Sequence, residues 1–186
     1  MNVYQWLRKF SCSVVMLALA TLVMGTHTAN AATRPNQMTE EQHLSKQVRH
    51  ALVMVPWYGV FDNLEYSIHG SEVTLSGQVV QPVTKNDAEK AVKRLEGVTR
   101  VVDNITVLPL SNFDDQIRRA EYRAIFRDPV LSRYSMGAVP AIHIIVNNGH
   151  VTLVGAVDRQ MDANVARIRA LSVPGVFSVT SNLHVG

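Results

Sequence analysis

Two histidines, His43 and His50, lie seven residues apart and could present two imidazoles from one helix face to a metal. Two ligands hold no metal without a carboxylate, and no spacing here supplies one. These two read, with His69, His143, His150 and His184, as surface or packing histidines. Asp62, Glu65 and Glu72 gather in one stretch, yet nothing sets two of them as an acid and base pair; solvated charges are the simpler reading. The sequence has no Gly-x-Ser-x-Gly elbow, Gly-x-Gly-x-x-Gly turn, P-loop or His-Glu-x-x-His helix. Cys12 is the single cysteine, which excludes a disulfide framework and a multi-cysteine metal site. These residue types point away from an enzyme, and no cofactor or metal is expected.

A different chemistry is offered by Arg159, Arg167 and Arg169. Guanidinium groups make bidentate contacts to phosphate. On a helix, at about 100° per residue, Met161, Val165 and Ile168 form an apolar strip beside them. Apolar surface next to arginines suits an anionic lipid surface. It suits equally a buried contact with the rest of the chain, a partner protein or another copy. Arg169 falls at the core edge, where its stem can lie along apolar surface with its head in solvent. Trp57 and Tyr58, after Pro56, could anchor at a membrane interface or cap a core.

What positions these residues begins after residue 31. Arg8 and Lys9, the apolar run Ser13–Met24 and the small residues of Ala29-Asn30-Ala31 have the form of a signal peptide, with cleavage expected after Ala31. This leader holds two of the 18 basic residues and none of the 15 acidic ones, so the remainder is close to neutral. A globally basic nucleic-acid binder is not supported. At 47% hydrophobic and 18% charged residues, the chain can bury a core. No later apolar run has the 18 or so residues needed to span a bilayer.

The remainder repeats itself. Shifted by 78 positions, Leu44–Val107 lies over Tyr122–Val185 without a gap, and 14 of 64 pairs are identical. Val73-Thr74-Leu75, Gly77 and Val79 match Val151-Thr152-Leu153, Gly155 and Val157; Gly97-Val98 matches Gly175-Val176. Each copy reads as helix, strand, strand, helix, strand. In the first, Thr39 and Gln42 form a capping box and Leu44, Val48, Ala51 and Leu52 a helical stripe that Pro56 ends. Leu64, Tyr66 and Ile68 alternate with polar residues and pair, through a turn at Gly70, with Val73, Leu75 and Val79. A second helix runs from near Val83 to a left-handed stop at Gly97, and Val101, Ile105 and Val107 form a closing strand. Gly77 and Gly155 interrupt strand patterns, as a bulge or a close helix approach would require, and Gly175 is a second helix stop.

The expected fold is α+β: two tandem small modules, helices packed on one face of a three-stranded mixed sheet in each. The expected boundaries are 1–31 leader, 32–38 flexible N-terminus, 39–108 first module, 109–113 linker and 114–186 second module. Modules this small are marginal alone, so they are expected to touch.

The hairpins ending in residues 73–79 and 151–157, with the closing segments 97–107 and 174–185, resemble the BON domain. A leader followed by two such domains is similar to osmotically inducible periplasmic members of that family. The resemblance implies a non-enzymatic periplasmic protein that binds phospholipid or holds other envelope proteins under stress. The family brings no catalytic motif.

Function is sought where the copies differ. Residues 44–107 carry seven basic and seven acidic residues; residues 122–185 carry six arginines and three aspartates. Met161, Val165 and Ile168 replace Val83, Asp87 and Lys90. The second module is therefore expected to face an anionic phospholipid membrane. The alternative is a protein-interaction or chaperone-like (holdase) role for the same strip.

Overall fold

The computed structural model describes residues 35–186, with side chains from residue 40. The expected leader and its cleavage point lie outside the described residues.

Helix α1 spans Pro35–Val53 and buries Leu44, Val48 and Leu52 on one face. It starts upstream of the expected capping box, so Thr39 lies inside the helix. Proline suits the first helical position because its ring presets φ and its missing N–H would have had no partner. Strands β1 (Asn63–His69) and β2 (Glu72–Val79) pair antiparallel through a two-residue turn in which Gly70 has φ 61°. Helix α2 (Pro82–Lys93) then crosses over and buries Thr84, Ala88 and Val92. The closing strand is broken in two. β3 (Arg100–Asp103) and β4 (Thr106–Val107) lie end to end, both parallel to β2. At the break the Asp103 carboxylate accepts the Ile105 N–H at 2.9 Å, a local bond that turns the backbone out of the ladder.

The second module repeats this order with four differences. Helix α3 (Asn112–Phe126) starts from Ser111, whose hydroxyl accepts the Asp114 N–H at 3.1 Å. It stops ahead of Pro129, which disfavours helix in the residue before it. A 3-10 turn over Ser132–Ser135 follows, which the repeat pattern did not predict. Strands β5 (Ile142–Asn147) and β6 (His150–Val157) form a hairpin whose turn residues, Asn148 and Gly149, are both left-handed, the primed type that matches strand twist. After helix α4 (Gln160–Leu171), strand β7 (Ser178–Val185) is unbroken and pairs parallel to β6 along its whole length.

The repeated glycines do different work from that expected. α2 and α4 end at Lys93 and Leu171, before Gly97 and Gly175 are reached. Each glycine has φ 89° in a later turn, closed by Val98 N–H to Leu95 C=O and Val176 N–H to Val173 C=O, both 3.3 Å. Gly77 and Gly155 (φ 109° and 126°) are approached by a strand, not a helix: a Cβ would collide with the carbonyl oxygens of Asn63 and Ala141 on the neighbouring strand's entry.

Each sheet carries its own core. Val73, Leu75, Val79, Ala88 and Val92 centre the first; Ile117, Ile125, Ile144, Leu153 and Ala166 centre the second. The modules touch, as expected. The loop before β1 sends Val60 and Phe61 against the second core, and the Val60 carbonyl accepts the Ile144 N–H at 2.8 Å on the edge of β5. This covering explains why Ile142–Val146 is buried on both faces.

Candidate functional site

The strip read from the sequence lies on α4 and is partly an outward ridge. Met161 is 67% exposed and Ile168 64%, on the side of the helix away from the buried Ala163, Ala166 and Ala170. Val165 packs against the second core and shows only its outer edge. Leu171, 51% exposed, extends the ridge and was not singled out from the sequence. It occupies the place of Lys93 in the first copy, so the signal was there.

The three arginines divide. Arg169 donates from Nε to Asp128 at 2.8 Å, and its terminal nitrogen lies 2.7 Å from the same carboxylate. Burial raises the Asp128 pKa, but the Val130 N–H and Arg169 outweigh it and hold the carboxyl below its ordinary value. Arg159 sits at the N-cap of α4, exposed, 3.5 Å from Asp162. Asp162 is fully buried; it accepts the Tyr134 hydroxyl at 2.6 Å and also pairs with Arg133. The Tyr134 hydroxyl in turn accepts the Asp158 N–H at 2.9 Å. The Tyr134 bond, then Arg133 and Arg159, hold Asp162 low against its burial. This cluster ties the 3-10 turn to the start of α4. Arg167 alone of the three is exposed with no ion pair among the described residues.

A second apolar feature escaped the sequence reading. Phe113 and Phe177, 45% and 70% exposed, lie 6.1 Å apart, and Phe177 covers Gly149. In the first module Gly149 and Phe177 are matched by Ser71 and Thr99, which share a hydrogen bond of 2.8 Å.

The histidines stay apart. His43, His50, His69 and His184 are exposed, and His150 bonds the Ser178 hydroxyl at 2.7 Å. His143 is buried at the module junction, stacked on Tyr58 at 5.5 Å. Burial pushes its pKa down and pushes the Tyr58 phenol up to about 12. Asp62, also buried there, accepts the N–H groups of Val80 and Gly59 at 2.7 and 3.1 Å; burial raises its pKa. Glu65 is exposed and Glu72 half-buried, and the Glu72 carboxylate lies 3.4 Å from Arg100. Trp57 is 72% exposed with a left-handed φ of 68°, while Tyr58 packs against the first core. Among the described residues no three His, Cys, Asp or Glu side chains are grouped to hold a metal, and no helix is long and apolar enough to cross a membrane.

The BON domain profile matches residues 40–109 and again 114–186. No curated protein matches the chain. Among solved structures it is similar to CdsD, a structural protein of the type III secretion system of Chlamydia trachomatis, at 13% identity and a TM-score of 0.28, covering 77% of this chain and 92% of that one. A structure of the CdsD C-terminal domain gives the same identity and TM-score and is covered over 97% of its length. A likeness at that level says nothing about function. The two profile matches together span most of the described residues, and the chain belongs to the BON domain family.

Proposed function

We propose that this is a non-enzymatic periplasmic protein that binds an anionic phospholipid surface through its second BON domain. BON domains are associated with phospholipid binding and envelope stress. The observation that carries the reading is the outward ridge of Met161, Ile168 and Leu171 beside Arg167, which has no ion pair among the described residues. Apolar side chains on an outward helix face gain by entering the acyl boundary, and an unpaired guanidinium gains a phosphate partner. Arg159 supports the site from the helix start. Arg169 contributes through structure, by holding the segment around Asp128 against α4.

The test is co-sedimentation with vesicles of phosphatidylglycerol or of phosphatidylcholine, at low and high salt. Binding to the anionic vesicles that weakens with salt is expected. Ile168→Asp should abolish it while far-UV circular dichroism stays unchanged. Arg167→Ala should weaken binding at unchanged stability. Arg169→Ala should do the reverse, costing about 1–3 kcal/mol because it removes the guanidinium partner of the buried Asp128. Binding that ignores Ile168→Asp and Arg167→Ala, or prefers phosphatidylcholine, overturns the reading and turns attention to a protein partner.

A further inference from the structure

We propose that a second copy of this chain pairs antiparallel with the free edge of β7, joining the two second-module sheets across a two-fold axis. The two closing strands differ in how their outer edges are guarded, and that difference does not depend on lipid binding.

In the first module that edge is blocked. Asp103 breaks the strand, and Lys85 lies over the gap, its ammonium 2.6 Å from the Ile105 carbonyl and 3.6 Å from Asp103. Charges and breaks of this kind keep sheet edges from pairing with other chains. The shift of 78 that aligns the copies puts Ala163 at Lys85 and Ser181 at Asp103. Both guards are gone. β7 runs unbroken for eight residues, and after Arg169 no Lys, Arg, Asp or Glu side chain follows to Gly186. Among the described residues no backbone partner lies on its outer side.

Self-complementarity selects a second copy. A charge-free strand meets its own image without like-charge repulsion. A two-fold axis normal to the sheet sends each residue to a partner on the same face, so the sum of paired numbers is even. With the axis at Ser181, Val179 meets Leu183 of the other copy. Phe177, 70% exposed, meets Val185, 45% exposed, at both ends. The small Ser181 meets itself. The helices fit as well. α4 lies over β6 and β7, so two copies of it would run about 10 Å apart, given strand spacings near 4.8 Å, which is helix-packing distance. Arg169 points to Asp128 beside α3, so the opposite face of α4, with the exposed Gln160, Asn164, Arg167 and Leu171, lies toward the joining edge. Met161 and Ile168 stay outward in both copies.

The experiment is analytical ultracentrifugation of the full chain without lipid, with Cys12→Ser removing the native thiol. The expected result is a concentration-dependent doubling of mass that Ser181→Lys abolishes with circular dichroism unchanged. Ser181→Cys should give a disulfide-linked dimer under mild oxidation, and Glu96→Cys, on an exposed turn of the first module, should not. A monomer at millimolar concentration overturns the proposal. So does a dimer that Ser181→Lys leaves intact, or cross-linking no better at position 181 than at 96. Loss of vesicle binding by Ile168→Asp moves none of these readouts, so the two proposals fail separately.

Discussion

Glu121 is fully buried, and neither carboxylate oxygen has a hydrogen-bond partner among the described residues. Burial pushes its pKa up to about 8, from an ordinary 4.5. Between those values the native state holds a proton that the unfolded chain has released. Its contribution to stability is therefore complete below about pH 4.5 and declines as pH rises toward about 8. His143 acts oppositely, since burial disfavours its charged form and native stability falls as the ring protonates. The comparison that isolates Glu121 is with Glu121→Gln, in which His143 is common. Urea midpoints measured from about pH 5 to about pH 8 should fall for the native chain relative to the variant; parallel curves would refute the assignment. The register Ile117, Glu121, Ile125 was readable as one helix face, four residues apart. What spacing does not report is how completely β5 and the first-module loop seal that face. The same holds for Arg169. Its odd place at the core edge was legible, but its partner Asp128 lies 41 positions away in sequence.

At the scale of elements, the repeated backbone was the legible part. Alternating valines and paired glycines dictate hairpin, crossover helix and parallel closing strand, whichever copy is read. The departures rest on single side chains. Val-Val-Asp-Asn-Ile-Thr-Val reads as one alternating strand, and only the Asp103 carboxylate on the Ile105 N–H breaks it. Pro129 marks the end of the shorter α3, whereas the 3-10 turn is held by Tyr134 and Arg133 reaching Asp162, a long-range contact. The glycines separate by cost. Gly155→Ala forces a left-handed Cβ into the Ala141 carbonyl and should cost about 3 kcal/mol. Gly70→Ala meets open space at φ 61° and should cost about 1 kcal/mol. Equal losses in thermal unfolding would show that the strand approach at Gly155 is not tight.

Across the whole molecule, the relation between the copies was beyond the sequence, because it depends on one loop. Tyr58 stacks on His143, Phe61 meets Tyr122 edge-on at 6.4 Å, and Val60 caps the β5 edge. A double-mutant cycle of Tyr58→Ala and His143→Ala should give a coupling of about 0.5–1.5 kcal/mol. Strict additivity would mean the stacking contributes nothing to joining the modules.

The loan across that junction runs one way. The first core draws its residues from 44–107, while the second takes in Val60 and Phe61 from its neighbour. A chain made from its N-terminus completes the lender before the borrower emerges. By the time β5 leaves the ribosome, the loop that shields it is already in place. Reversing the order of the modules in a rearranged gene would keep every residue and yet leave β5 waiting, its edge open, for a cover still to be synthesised.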